Sequence, residues 1–273
     1  MSNNKVCKFF VKGSCNHGTE CKFIHDSTIC KNYFLNGNCK RDDKCKFKHT
    51  QTMAKKRPKN TENFKPSHEA ADLNIIVPSN NTNLSNKVFS PNDIIIIPNF
   101  LKETKENELY NNLIKEMNES GISEDNLWKL WHGDNHLIAD DHLEWKEKVP
   151  TFNYIISEIS KYFNMDIKST RFNLYKNSND WKPFHHDAAA IKDHIAKVQN
   201  FTVGISLGAT RSVAFENAKN KLVIDFPLEN GTIYAFSKDV NIKWKHGIPQ
   251  VHPDKFFEDG RISIIAWGAV KME

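Results

Sequence analysis

The 273 residues contain no apolar run long enough to cross a bilayer. The longest aliphatic stretch is Ile94–Ile97, against the roughly 20 residues that a helical span needs. A secretory leader is also missing, so a soluble, intracellular protein without membrane contact is expected. Cysteine is absent outside residues 7–45, and acidic residues are scarce in the same region. Residues 1–65 hold 15 Lys or Arg against 5 Asp or Glu, whereas the other 208 hold 23 against 28. The formal net charge of +5 therefore conceals a basic N-terminus, the end at which an anionic polymer would be held. With 39% hydrophobic residues, the chain can build one core domain of ordinary size plus a small module.

The cysteines fall into two near-identical sets, each closed by a histidine. Cys7-x7-Cys15-x5-Cys21-x3-His25 is followed by Cys30-x8-Cys39-x5-Cys45-x3-His49. Three thiolates and an imidazole make a tetrahedral Zn²⁺ site, and the repeat leaves no cysteine over. Disulfide pairing is the competing reading, and the intracellular character of the chain speaks against it. Each finger is too short to bury a core of its own, so zinc binding supplies the folding free energy.

This pattern resembles the tandem CCCH zinc fingers, a resemblance that implies single-stranded RNA as partner, with protein as the other class. Counted back from the second Cys of each finger, Phe9-Phe10 align with Tyr33-Phe34 and Gly13 with Gly37. Phe23 and Phe47 each lie two residues before the ligand His. Aromatics set among lysines suit base stacking combined with phosphate attraction. About half of them are expected to pack the fingers instead, since so small a module has little else to bury. Each Cys₃His zinc site carries a net charge of −1, which offsets part of the basicity.

The fingers occupy residues 1–27 and 28–50, and a polar, basic linker is expected over 51–87. Within it, Lys55, Lys56, Arg57, Pro58 and Lys59 read equally as a nuclear localisation signal or as solvated charge, so nucleus and cytoplasm both remain open. Leu73–Val77 is a short apolar run able to dock on the next domain.

That domain, residues 88–273, opens with a strand at Asp93–Leu101 and a helix carrying Leu109, Leu113, Ile114 and Met117. Trp128, Trp131 and Trp145 are then interleaved with His132, His136, Asp140 and Asp141. This stretch reads equally as a substrate-recognition lid or as a hydrogen-bonded cluster around a buried Trp. A second helix is expected over 150–163. Beyond it come short strand candidates: Arg171–Tyr175, Phe184–Asp187, Phe201–Leu207, Ser212–Phe215, Leu222–Phe226, Thr232–Phe236 and Arg261–Trp267. The expected class is α+β, with a double-stranded β-helix of the jelly-roll type.

Three H-x-D triplets occur, and spacing on a strand puts the outer two side chains of each on one face. A non-haem Fe(II) centre also needs a later His. No His follows His252-Pro253-Asp254, and His132-Gly133-Asp134 precedes the strand-rich region. His185-His186-Asp187 is followed by His246 and then Arg261, and it is the candidate; His186 should face away.

Residues from about 88 to 271 resemble the AlkB-like family of 2-oxoglutarate- and Fe(II)-dependent dioxygenases. Asn173-Leu174-Tyr175 matches that family's N-x-Y, His185 and Asp187 its H-x-D, His246 its distal His and Arg261 its 2-oxoglutarate arginine. The resemblance implies an iron held by His185, Asp187 and His246. It implies 2-oxoglutarate held by Arg261 with Asn173 and Tyr175, and O₂ as the oxidant. It also implies oxidation of a substrate C–H bond with release of succinate and CO₂. Where the family has a second arginine, six residues after the first, this chain has Trp267, so the shell around the cosubstrate must differ. The preferred function is demethylation or hydroxylation of a nucleic-acid base, RNA favoured. The alternatives are a protein hydroxylase with RNA-targeting fingers and a non-catalytic RNA-binding regulator.

Overall fold

In the computed structural model the described residues are 5–50, 72–79, 82–101, 105–131 and 135–273. The chain divides into two compact units, Met1–Glu69 and Ala70–Glu273. The basic signal at residues 55–59 and the triplet at residues 132–134 lie outside the described residues.

In the first unit each finger starts with its first Cys at the N-cap of a short helix. Helix α1 (Lys8–Lys12) follows Cys7 and α2 (Lys31–Asn36) follows Cys30. Both end at a left-handed glycine, Gly13 (φ 85°) and Gly37 (φ 72°), a conformation that glycine adopts without a Cβ penalty. The helices differ in length by one residue, and this corrects the expected alignment of aromatics. Phe10 and Tyr33, each three residues after the first Cys, hold equivalent places: Phe10 stacks on His25 and Tyr33 on His49. The extra residue of the second finger lies before the left-handed glycine, so counting from the second Cys slips the helices by one.

The second unit begins before residue 88. Strand β1 (Asn74–Ile76) pairs in parallel with β2 (Asp93–Ile97), so the run containing Leu73–Val77, expected at the end of a linker, is part of the sheet. Next come α3 (Glu108–Asn118), α4 (Glu124–Leu127), the hairpin β3 (Trp128–Leu130) and β4 (Leu137–Ala139), and α5 (Pro150–Phe163). Proline begins α5, and Asn164 ends it in the left-handed conformation (φ 48°), as the asymmetry of helix ends favours.

The remaining elements are β5 (Asp166–Tyr175), β6 (Lys182–His185), α6 (Asp193–Ala196), β7 (Phe201–Gly208), β8 (Arg211–Asn217), β9 (Val223–Leu228), β10 (Thr232–Ser237), α7 (Lys238–Lys243), β11 (Trp244–Ile248) and β12 (Arg261–Ala269). The segment before His246, expected as loop, is thus helix α7 running into strand β11. Eight strands form one sheet in the order β1-β2-β10-β7-β12-β5-β4-β3, and four form the second, β6-β11-β8-β9. Two facing sheets with this order make a jelly roll.

Strand alternation sorts the large sheet into two faces. Ile95, Phe172, Val203, Ile205, Ile262 and Ile264 join the core that also contains Trp145, Phe152, Ile155 and Phe163 from the helical side. Their neighbours Ile94, Tyr175, Tyr234 and Ile265 pack in a separate core with Val213, Phe215, Trp244 and Ile248 of the second sheet. Polar residues of the central strands share that inner face, and this is what places the site between the sheets. Among the described residues no helix is long and apolar enough to cross a membrane.

Candidate functional site

The second sheet supplies the histidines. His185 on β6 and His246 on β11 are directly paired across antiparallel strands, and their rings lie 4.4 Å apart. This close approach depends on Gly247, where a Cβ would meet the Lys182 carbonyl at 2.6 Å, at a point where the β6–β11 register is irregular. Asp187 lies just past β6, with Oδ1 at 3.8 Å from His185 Nε2 and 3.6 Å from His246 Nε2. One ligand atom from each of the three can converge on a single ion. His185 Nδ1 faces the Pro183 carbonyl at 2.9 Å, which turns Nε2 toward the aspartate. His186 points elsewhere, its Nδ1 against the Asn241 carbonyl of α7 at 2.6 Å.

The protonation states of the ligands favour metal binding. Burial pushes the His185 imidazolium well below the ordinary histidine range, and His246 and Lys182 add to the effect. For Asp187, burial opposes the carboxylate, but nearby positive charge and the contact with His246 hold it below the usual range. A neutral imidazole beside an ionised carboxylate is the state that ligation requires.

The large sheet fixes Asp187 from the other side. Thr202 on β7 donates to Oδ2 at 3.1 Å and the Trp267 indole on β12 at 2.8 Å, while the Asp187 backbone N–H donates to Asn241 Oδ1 at 2.8 Å. Oδ2 is therefore occupied and Oδ1 is left facing the histidines. Trp267 stands where the resemblance led to an arginine, and here it is the donor that orients the carboxylate.

Deeper in, Arg261 is 1% exposed. Its Nε donates to Ser206 Oγ at 2.7 Å and its guanidinium lies 5.0 Å from the Tyr175 ring centroid, yet Nη1 and Nη2 have no hydrogen-bond partner among the described residues. A buried fork with two free nitrogens fits a carboxylate bidentately. Asn173 is less available than expected. Its Oδ1 is 3.2 Å from His136 Nε2 and its Nδ2 donates to the Ser263 carbonyl at 2.9 Å, leaving one amide hydrogen.

Several residues of the site escaped the sequence reading. His136, 1% exposed, lies on Tyr175 with ring centroids 4.7 Å apart; burial lowers its pKa to about 3. Of the mixed stretch around it, Trp145 packs in the core and donates to the Asp140 carbonyl, while Trp131 meets His185 at 5.3 Å. The stretch is thus a buried cluster at one end and a wall of the site at the other. Tyr234 lies over Gly204, where any Cβ would collide with its ring, and faces the same cavity as Tyr175, Asp187 and His246. These partners are set by sheet register, so no local spacing announces them.

In the fingers, the ligand atoms of Cys7, Cys15, Cys21 and His25, and those of Cys30, Cys39, Cys45 and His49, converge in the same way. His25 Nε2 and His49 Nε2 are buried without a partner among the described residues, which fits nitrogens that bind zinc. Burial opposes the Cys7 thiolate, but the Phe10 N–H and the neighbouring Cys21 and His25 bring its pKa down to about 7. The rings left exposed are Phe9, Phe23 and Phe47.

The family model for the 2OG-Fe(II) oxygenase superfamily matches residues 130–266. The model for zinc fingers of the C-x8-C-x5-C-x3-H type and similar matches residues 5–27 and 26–51. Among solved structures, that of OsALKBH1 is similar, with a TM-score of 0.46 at 12% identity over 66% of this chain and 99% of that one. No curated protein matches.

Proposed function

The chain belongs to the 2OG-Fe(II) oxygenase superfamily, and from that premise we propose that it demethylates or hydroxylates a base of single-stranded nucleic acid, RNA ahead of DNA. It is a dioxygenase that uses Fe(II) and 2-oxoglutarate and carries two zinc-binding fingers. The observation that carries the substrate reading is the joining, in one chain, of that centre to fingers whose exposed rings Phe9, Phe23 and Phe47 are set among lysines. Stacking rings with phosphate attraction hold a single strand, from which a base is readily presented to a pocket. The ordered motifs Asn173-x-Tyr175, His185-x-Asp187, His246 and Arg261 support an AlkB-like assignment within the superfamily.

When bound, iron and 2-oxoglutarate supply the oxidising power that inserts one oxygen atom of O₂ into a C–H bond. The protein's part is to bind and orient. His185, Asp187 and His246 would hold the metal, one ligand atom each. Arg261 would clamp the far carboxylate of 2-oxoglutarate through Nη1 and Nη2, its Nε being held by Ser206. Tyr175 and His136 wall that end, and the remaining amide hydrogen of Asn173 points the cosubstrate. On an N-methyl group, hydroxylation gives a hemiaminal that collapses to the free base and formaldehyde.

The test is Fe(II)-dependent conversion of 2-oxoglutarate to succinate by wild type and His246→Ala, with and without single-stranded RNA carrying methylated bases. The expected result is RNA-stimulated turnover that requires His246, with formaldehyde released. Turnover indifferent to RNA moves the substrate to proteins; absence of turnover in iron-loaded protein overturns the enzymatic reading.

A further inference from the structure

Among the described residues, one cation beside the metal site has no anionic partner of its own. Of four cationic side chains that act on one another around that site, two are satisfied by the protein. Arg171 donates to Asp141 at 3.2 Å, and Arg211 donates to the carbonyls of Asp180 and Pro249, each at 2.9 Å. Arg261 keeps two free nitrogens for a carboxylate. Lys182 is the fourth, and its ammonium has neither a carboxylate nor a hydrogen-bond acceptor among the described residues. Its contact is the Trp131 ring, with Nζ 4.9 Å from the centroid, and Trp131 itself abuts the metal ligand His185.

Lys182 lines the same cavity as Asp187 and His246. Among the described residues the charged groups that act on it are Asp187, Arg171 and Arg261. Asp187 is committed to the metal, with Oδ2 already taken by Thr202 and Trp267. With the site loaded, the divalent iron and Arg261 together are neutralised by Asp187 and the dianionic cosubstrate. The ammonium is left without a carboxylate of its own among the described residues, in a cavity where burial disfavours its charge, and an anion beside it offsets that cost. A cation–π contact holds such a group in place without neutralising it.

We infer that Lys182 forms a second anion site beside the metal, taking a phosphodiester oxygen of the substrate strand next to the base being oxidised. This rests on the nucleic-acid reading above and deepens it: the fingers hold the strand, and Lys182 registers it at the metal. The neutral donor at Trp267 fits this division, because it orients Asp187 without adding a cation that would compete for the phosphate.

The probe is dimethyl phosphate, a monoanionic phosphodiester, added to full-length protein loaded with Mn(II) and 2-oxoglutarate. Broadening of its ³¹P resonance reports proximity to the metal. Wild type should broaden it saturably, Lys182→Met should weaken the affinity roughly tenfold, and Lys182→Arg should restore most of it. In parallel, 2-oxoglutarate is titrated into anaerobic Fe(II) protein by its charge-transfer absorption, and Lys182→Met should bind it within about twofold of wild type. Equal broadening in wild type and Lys182→Met, or none in either, overturns the inference. So does loss of 2-oxoglutarate affinity in Lys182→Met, which assigns the ammonium to the cosubstrate's own carboxylate. Neither readout needs RNA turnover, so a failure of the nucleic-acid reading is seen separately in the succinate assay.

Discussion

The fingers and the jelly roll both gather metal ligands, but by opposite routes. In each finger the four ligands lie within 20 residues of sequence, and beside the stacked pairs Phe10–His25 and Tyr33–His49 the only buried hydrophobic side chains other than cysteine among the described finger residues are Ile29 and Phe34. The metal is the core. In the jelly roll, His185 and His246 are 61 residues apart and are brought together by cross-strand pairing above two hydrophobic cores. There the fold comes first and the metal second. Local ligands make folding depend on the ion, whereas ligands carried on a sheet make only the chemistry depend on it.

The sharpest way to break this contrast is to remove one ligand from each region. Cys30→Ser should unfold the second finger outright, since structural zinc supplies about 10–16 kcal/mol of apparent binding free energy in such modules; zinc content and amide exchange over residues 28–50 check it. His246→Ala should leave the melting temperature of the jelly roll within a few degrees while succinate formation falls more than about a hundredfold. If His246→Ala instead unfolds the domain, the contrast is gone.

Smaller changes sharpen it within the jelly roll. Arg261→Met removes a bidentate partner and should cost about 2–3 kcal/mol of 2-oxoglutarate binding, read as a higher KM for cosubstrate with Fe(II) affinity unchanged. Trp267→Phe keeps the packing but deletes the donor to Asp187 Oδ2, and should weaken Fe(II) affinity by about tenfold with little change in 2-oxoglutarate affinity. Back in the fingers, Phe47→Ala should cost about 1 kcal/mol of single-strand RNA affinity, the lower end of what stacking on one base is worth, with zinc content intact.

What could be read in advance follows the same division. The zinc ligands are spaced by three to eight residues and repeat, so the sequence exposes them directly. The convergence of His185, Asp187 and His246 was legible because several short motifs stand in a fixed order. Helix α5 was anticipated at its observed place, and the strand expected over Asp93–Leu101 showed itself through its run of isoleucines but ends at Ile97. The role of Trp267 was not legible, because its hydrogen bond reaches 80 residues back across strands whose register no local pattern announces. His136 was hidden in a stretch whose neighbours looked equally polar. The finger aromatics were misaligned because one residue inside a helix changes which ring reaches the histidine.

The stack of Tyr234 on Gly204 carries a consequence for how this pocket can vary over time. Any side chain at 204 drives into the phenol ring, so the two positions cannot change independently. A larger residue at 204 becomes accessible only after 234 has shrunk, which gives sequence drift through the cavity a fixed order of steps.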